Sequence, residues 1–504
     1  MKSTFSLFLL LSLPVFCSAQ LFPELEWQMF FDNHGSDWPV TMAKGPDSSL
    51  VIGGHTTVED SLPDNCADIW ILKISPDGLL LWEREVSMTG CEELRDLVLT
   101  DDGGVLFIGI TNSLIPHAEK GDDTYWSDVL VGKLDSTGTV EWLQSYGGSH
   151  GDQAYQVISG NYSDYIIAGG THSVDGLLKR PNRMGDPWTL KIDNRGQVRF
   201  SEKLGGSLTD WATAITQDKA GDYLLAGVTD SRFLREKGLG AYGNGYVARL
   251  SETGQIKWQR AYPSPEGGQL KAILTNEDGR IIVAGDRKYE QTGQDFWWMK
   301  LTSNGKLIRE QHFPMDEHEF LTDMIACSNG GYLLSGYSLS RGSSNPYSKG
   351  GDDFWLLRVD EQGKMIWKKT YGGPDHERCR AILEFEPGVF YALGEKNNVF
   401  SPQASQDQDF WLLKISELPT DSIQADIYVR AKDFRINRDT PTRFRARYQY
   451  GERFLWDFGD GTTSTEEQPL KSYEISGTYR IRLTIFMNEN CQQTVFLERL
   501  LEVW

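Results

Sequence analysis

The chain has 504 residues, a formal net charge of −21, 51 glycines and a high aromatic content of 16 Trp, 20 Tyr and 23 Phe. Such a composition belongs to a folded, turn-rich protein. It excludes a nucleic-acid binder, which needs basic surface to neutralise phosphates, and disfavours docking on anionic lipid.

The first nineteen residues read as an export signal. Lys2 supplies positive charge, Phe5 to Phe16 is an apolar run, and Cys17-Ser18-Ala19 is a small-x-small cleavage site. A mature chain then begins at Gln20. A lipidated start at Cys17 is the alternative, against which bulky Phe16 stands where a lipobox wants a small residue. No later stretch approaches the ~18–20 apolar residues that span a bilayer, so the mature protein is expected to be exported without a transmembrane segment, to the periplasm, the cell surface or the medium.

From residue 20 to 422 one element recurs seven times, each copy running from an acid or its amide to a base at fixed spacing. The copies are Asp68 to Lys73, Asp128 to Lys133, Asp186 to Lys191, Asn244 to Arg249, Asp295 to Lys300, Asp353 to Arg358 and Asp409 to Lys414, roughly 51 to 60 residues apart. An apolar run ending in glycine precedes it, as in Tyr165–Gly169, Tyr223–Gly227 and Tyr332–Gly336. A tight turn and an alternating strand follow, ending in Trp142 or Trp258, then a Gly-Gly break such as Gly147-Gly148 and a further short strand. Four short strands per unit and seven units predict an all-β, seven-bladed β-propeller. The seventh unit lacks its last strand, and Leu25 to Phe31 is a spare one. We expect it to pair into blade seven, closing the ring and removing an exposed edge.

The period stops before residue 423. In 423–504 lie Trp456-Asp-Phe-Gly-Asp460-Gly461, Tyr473 and Gly477-Thr-Tyr479. Tight glycine turns and a core of Trp456, Phe458, Tyr473 and Tyr479 predict an immunoglobulin-like sandwich. The first four-fifths of the chain resembles secreted Bacteroidota-type propeller repeats with their Tyr-Gly-Gly-Ser and Asp-Phe-Trp-Leu-Leu-Lys pattern. The tail resembles a PKD domain, with Lys471 where that family often has His. Blade five departs most from the repeat, with Tyr262-Pro-Ser-Pro in place of Tyr-Gly-Gly-Ser and a short connecting loop.

Naming the strands of a blade A to D from the axis outward, the A–B and C–D turns are short and lie on one face. The B–C connections, on the other face, are long and dissimilar, for example 111–127, 171–185, 229–243 and 338–351. Recognition is expected there, with Tyr125, Trp126, Arg180, Arg183, Phe233, Arg235 and Tyr347 as candidate ligand contacts because aromatic and Arg side chains anchor interfaces. Near the axis, Asp37, Glu93, Asp152, Asp210, Glu319 and Glu377 open strand A of six blades, with Gly268 in phase in blade five and Glu266 beside it. Such a ring is a candidate holder of a cation or basic peptide. The alternative is that each carboxylate accepts N–H bonds from the Gly-Gly turn before it. The repeated acid and base read as a turn or cross-blade acceptor and a cover for the blade surface.

Enzyme signals are poor. Gly147-Gly-Ser149-His-Gly151 has the nucleophile-elbow pattern, but the elbow joins a strand to a helix and this string is an inter-blade break. There is no HExxH, phosphate loop or dinucleotide fingerprint. No cofactor is required; Asp122-Asp123 and Asp352-Asp353 are the acid pairs that could touch Ca²⁺, without EF-hand spacing. Cys66, Cys91, Cys327, Cys379 and Cys491 follow the leader. Neighbouring blades allow a Cys66–Cys91 disulfide in an exported protein; five buried thiols is the other reading. The expected function is non-catalytic binding or adhesion to an envelope or extracellular protein, or to a glycan. Two other readings are an accessory subunit of a secretion or gliding assembly, and a polysaccharide-active enzyme, in which Asp152 or Asp210 would be essential.

Overall fold

The computed structural model describes residues 21–33, 35–57, 67–76, 78–112, 127–177, 185–231, 243–314, 318–339, 351–373, 376–397, 408–419, 425–429, 434–448, 453–488, 491–497 and 500–504. Leu25–Ile415 forms one compact unit and a second contains Ser416–Trp504.

The first unit is seven four-stranded antiparallel sheets. Blade three shows the plan: A is Asp152–Ser159, B is Tyr165–Thr171, C is Asp186–Ile192 and D is Val198–Lys203. Five others repeat it in order, over 36–86, 92–146, 210–262, 268–313 and 318–371. In blade seven A, B and C are Glu377–Glu386, Val389–Asn397 and Gln408–Pro419, and the outer strand is Leu21–Phe31 from the N-terminus. The expected ring closure is therefore observed. Trp411 donates to Gln28 at 2.9 Å and Lys414 pairs with Glu26 at 2.9 Å. Trp27 meets Tyr391 edge-on, in a core that joins Phe410 and Leu412 of blade seven to Ile52 and Trp70 of blade one.

Three side-chain devices explain why the repeat takes its form. Every A strand carries a β-bulge at one position: Val40, Arg95, Tyr155, Thr213, Lys271, Thr322 and Arg380 are the extra residues. The bulge brings the A-strand backbone against the B-strand glycine. A Cβ on Gly169 would lie 2.0 Å from the Gln153 carbonyl oxygen, and one on Gly227 1.9 Å from that of Trp211. The glycine ending each apolar run is thus demanded by close approach.

At the outer rim, the D-strand Trp reaches the C–D turn of the next blade. Trp82 Nε1 donates to Ser136 O and Trp142 Nε1 to Asn194 O. The turn glycine fits under the ring, and a Cβ on Gly138, at φ +81°, would sit 2.8 Å from Trp82. At the inner rim, residues one past the bulge stitch adjacent blades. Val157 N donates to Asp96, Ile215 N to Gln156 and Ile382 N to Asp323.

The second unit is a β-sandwich. One sheet pairs Ala425–Val429, Thr442–Tyr448 and Leu470–Lys471; another pairs Thr463–Ser464, Arg453–Asp457, Arg482–Asn488 and Cys491–Phe496. Arg435–Ile436, Leu501–Val503 and Gly477–Tyr479 form a third. Trp456, Phe458 and Tyr473 are buried as expected, and Tyr479 packs partly buried against them. Gly459 and Gly461 take φ of +76° and +89° in the tight turn. Tyr473 Oη donates to Phe458 O at 3.1 Å. Lys471 pairs with Asp460 at 2.6 Å and lies over the Tyr473 ring.

Among the described residues no helix is long and apolar enough to cross a membrane. Cys91 is disulfide-bonded, whereas Cys327 and Cys379 are buried thiols. Five buried thiols is therefore corrected; Cys66 lies outside the described residues.

Candidate functional site

Tyr125, Trp126, Arg180, Arg183, Phe233, Arg235 and Tyr347 all lie outside the described residues, as do the export signal and Asp122-Asp123. The B–C connection described throughout is that of blade five, a short hairpin between Tyr289 and Gly293.

The acids that open the A strands are buried at the seams between blades and do not line an open channel mouth. Asp152 has no exposed surface. It accepts Gly148 N at 2.8 Å, Ser173 Oγ at 2.8 Å and Thr171 Oγ. Burial raises its pKa and these bonds oppose the rise. Asp210 likewise holds Gly206 N, Ser231 Oγ and Thr229 Oγ. Asp37 accepts Asn33 N and Glu377 accepts Gly373 N. Glu319 is buried opposite Ser338. In blade two the in-phase residue is Glu92, which accepts Met88 N and Thr111 Oγ; Glu93 is one residue out of register and pairs with Arg95.

The repeated acid of strand C faces the same turn from the other side. A Cβ on Gly147 would fall 2.5 Å from Asp152 Oδ2 and 2.7 Å from Asp128 Oδ1. The geometry is that of a turn clamped by two carboxylates. In blades one to four the repeated base pairs with an acid of its own A–B turn, as Lys73 with Asp47 and Lys191 with Asp164, both at 3.0 Å; Arg358 instead donates to Asn329 Oδ1 and Lys414 pairs with Glu26.

What surrounds the axis is the alternate set. Each A strand contacts the A strands of its two neighbours around the closed ring. The residues one and three after each seam position are all partly exposed, while the residue between them is buried. The first set is Trp38, Glu93, Gln153, Trp211, Gln269, Phe320 and Arg378. The second is the bulge residues, which include Arg95, Tyr155, Lys271 and Arg380. Alternation along strand A, read one residue later, would have found them.

These side chains form an aromatic and charged lining. Tyr155 meets Trp211 edge-on at 6.3 Å, Trp38 stacks on His55 at 5.5 Å and Phe320 on Tyr337 at 5.3 Å. Lys271 lies over Phe320, and Arg378 and Arg380 over Tyr337. Arg380 grips Glu395 through two nitrogens, at 3.0 and 2.8 Å. Arg95 and Arg380, from blades two and seven, converge on His55 of blade one. Burial first, then these two cations, hold His55 down to about 4.

Other candidate chemistry is answered directly. Ser149 Oγ is 2.8 Å from His150 Nδ1 and Asp175 accepts from Ser149 N, but strands flank the turn, so no elbow forms. Asp352 is engaged by Arg378, and Asp353 is a buried seam acid. Asp32, Asp37 and Asp409 bring one carboxylate oxygen each within 4.8 Å, and each has other partners.

Residues 429–498 match the PKD domain family. The C-terminal unit holds a PKD domain. No curated protein matches the chain. Among solved structures, the WD40 domain of Neurospora crassa Pan2 is 14% identical, with a TM-score of 0.45, over 78% of this chain and 96% of that one. Kuenenia stuttgartiensis hydrazine synthase is 12% identical at a TM-score of 0.46, over 77% and 97%. A puromycin hydrolase is 11% identical at 0.43, over 89% and 58%. The propeller assignment rests on the strand pairing described above.

Proposed function

We propose that this is a non-catalytic, extracytoplasmic binding or adhesion protein that recognises protein or glycan with the loop-rich face of the propeller and the mouth of its axis. The PKD domain serves as spacer or secondary contact. One observation carries the reading. Positions that hold the fold recur: the B-strand glycine in all seven blades, the seam acid in six and the rim Trp in five. Positions facing the axis at the loop-rich end do not, running Trp, Glu, Gln, Trp, Gln, Phe, Arg around the ring. Residues required by architecture recur; residues shaped by a single ligand need not, and Trp, Tyr and Arg are the types that anchor interfaces. The rigid ring holds them pre-organised.

The test is capture by the full exported chain from solubilised envelope of its own host, alongside a glycan array, with Trp211→Ala as comparison. A partner or glycan lost on that substitution supports the reading. Capture of nothing, or turnover of a polysaccharide by the purified protein, overturns it.

A further inference from the structure

The seam where blade four meets blade five departs from the plan. Gly268 stands where other blades carry an acid, Asn244 of blade four replaces the strand-C Asp, and Arg287 faces Gly268 where most blades place Thr or Ser. In place of a carboxylate, Asn244 Oδ1 accepts Ser264 N at 3.1 Å, and Pro265 and Glu266 stand exposed. The hairpin after Tyr289 is three residues long. Together these changes open a cavity of about 390 Å³ on the loop-rich face, between the 265–266 turn, the 287–292 hairpin and His312.

Its wall is a fixed ladder of side chains. Arg287 lies near the rings of Trp297 and Tyr289, at 5.3 and 5.1 Å. Tyr289 stacks on His312 with 4.6 Å between ring centres and 28° between planes. Glu310 holds the ladder from behind, accepting Arg287 Nη1 at 2.6 Å and Trp297 Nε1 at 2.8 Å. His312 is exposed at the open end. Around the ladder stand two acids, Glu266 and Glu290, and two bases, Arg287 and Lys288.

Arg287 is already met by Glu310, so Glu266 and Glu290 against Lys288 leave the lining slightly acidic, which disfavours an anionic ligand. What the cavity offers is an aromatic wall beside both donors and acceptors. A pyranose matches that offer, having an apolar C–H face and a rim of hydroxyls that both give and take hydrogen bonds. The volume falls near the low end of the ~300–1,000 Å³ usual for ligand sites.

We propose that the blade-five cavity is a subsite for a neutral saccharide. One ring lies against the Tyr289–His312 pair, and its hydroxyls meet Glu266, Lys288 and Glu290. This rests on the binding function proposed above and names the ligand class for one part of that face.

The test is titration calorimetry and saturation-transfer NMR on the full exported chain. The probes are gluco-, manno-, galacto- and xylo-oligosaccharides, with an oligogalacturonate as the charged comparison. We expect at least one neutral probe to bind. His312→Ala and Tyr289→Ala should each weaken it tenfold or more, and exposed His312→Ala should leave the melting temperature unchanged. Binding of no neutral probe overturns the subsite, as does tighter binding of the oligogalacturonate. Equal binding by wild type and His312→Ala also overturns it, yet leaves sugar recognition elsewhere on the face standing. Capture of an envelope protein with no sugar bound removes the subsite alone and not the binding function.

Discussion

The B-strand glycines give a clean test of how the propeller is built. In Gly227→Ala the new Cβ would lie 1.9 Å from Trp211 O, 2.9 Å from Trp211 C and 3.0 Å from Ala212 Cα, all backbone atoms of the bulged A strand. Relief requires that strand to move by roughly 1 Å or more, since even close C···O contacts sit near ~3.3 Å. The strand is tied at Asp210 by Ser231 and Gly206, and at the bulge by Thr213 Oγ donating to Leu270 O at 2.6 Å. Overpacking costs about 1–3 kcal/mol where side chains can yield; with backbone as the obstacle we expect about 3 kcal/mol or more. Gly279→Ala is the control. Its φ is +69° but nothing lies within 4 Å of the added carbon, so it should cost only the left-handed conformation, about 1–2 kcal/mol. Both changes add one methyl group and reduce unfolded-chain entropy alike. Urea denaturation followed by Trp fluorescence reads the difference. If the two variants fall within about 0.5 kcal/mol of each other, the close-approach argument fails. Gly109, whose Cβ would sit 2.5 Å from Glu93 O, should be the most forgiving of the seven.

Asp152→Ala strands Gly148 N, Thr171 Oγ and Ser173 Oγ inside the seam, and should destabilise by about 2–4 kcal/mol in the same assay; a neutral outcome would deny the seam role. Burial between blades pushes Asp96 up to about 7, with backbone and Thr41 bonds opposing. Its folded pKa exceeds its unfolded one, so the stability it adds is full below about pH 4 and is lost as pH rises to 7. Asp96→Asn should therefore lose less stability than wild type between pH 4.5 and 7.5, by on the order of 1.4 kcal/mol per pH unit, and parallel profiles would contradict this. Deleting residues 21–31 removes the outer strand of blade seven and with it the Gln28 and Glu26 contacts. We expect self-association by size exclusion and rapid amide exchange in blade seven. A monomer with unchanged exchange would show that ring closure does not depend on this strand.

Much of this was legible in the sequence because a propeller encodes its architecture locally. The period, the four strands per unit, the spare strand at Leu25 and the Trp456–Gly461 turn each depend on neighbours within one repeat or one hairpin. Glycine ending each apolar run was visible as a pattern, but its cause was not, since the bulge at Tyr155 or Thr213 leaves no fixed residue type in the chain. That bulge, together with the one-residue difference between Glu92 and Glu93, decides which side chains turn inward to the seam and which face the axis. The acids were therefore legible as a repeat and were placed one step out of phase with the lining. The sequence by itself determined the blades, because hydrophobic alternation and turn chemistry are short-range. Only the tertiary structure decided what meets at the axis and in blade five. There Arg95, His55 and Arg380, or Glu266, Tyr289 and His312, come from separate segments that ring closure and the A-strand register bring to one place.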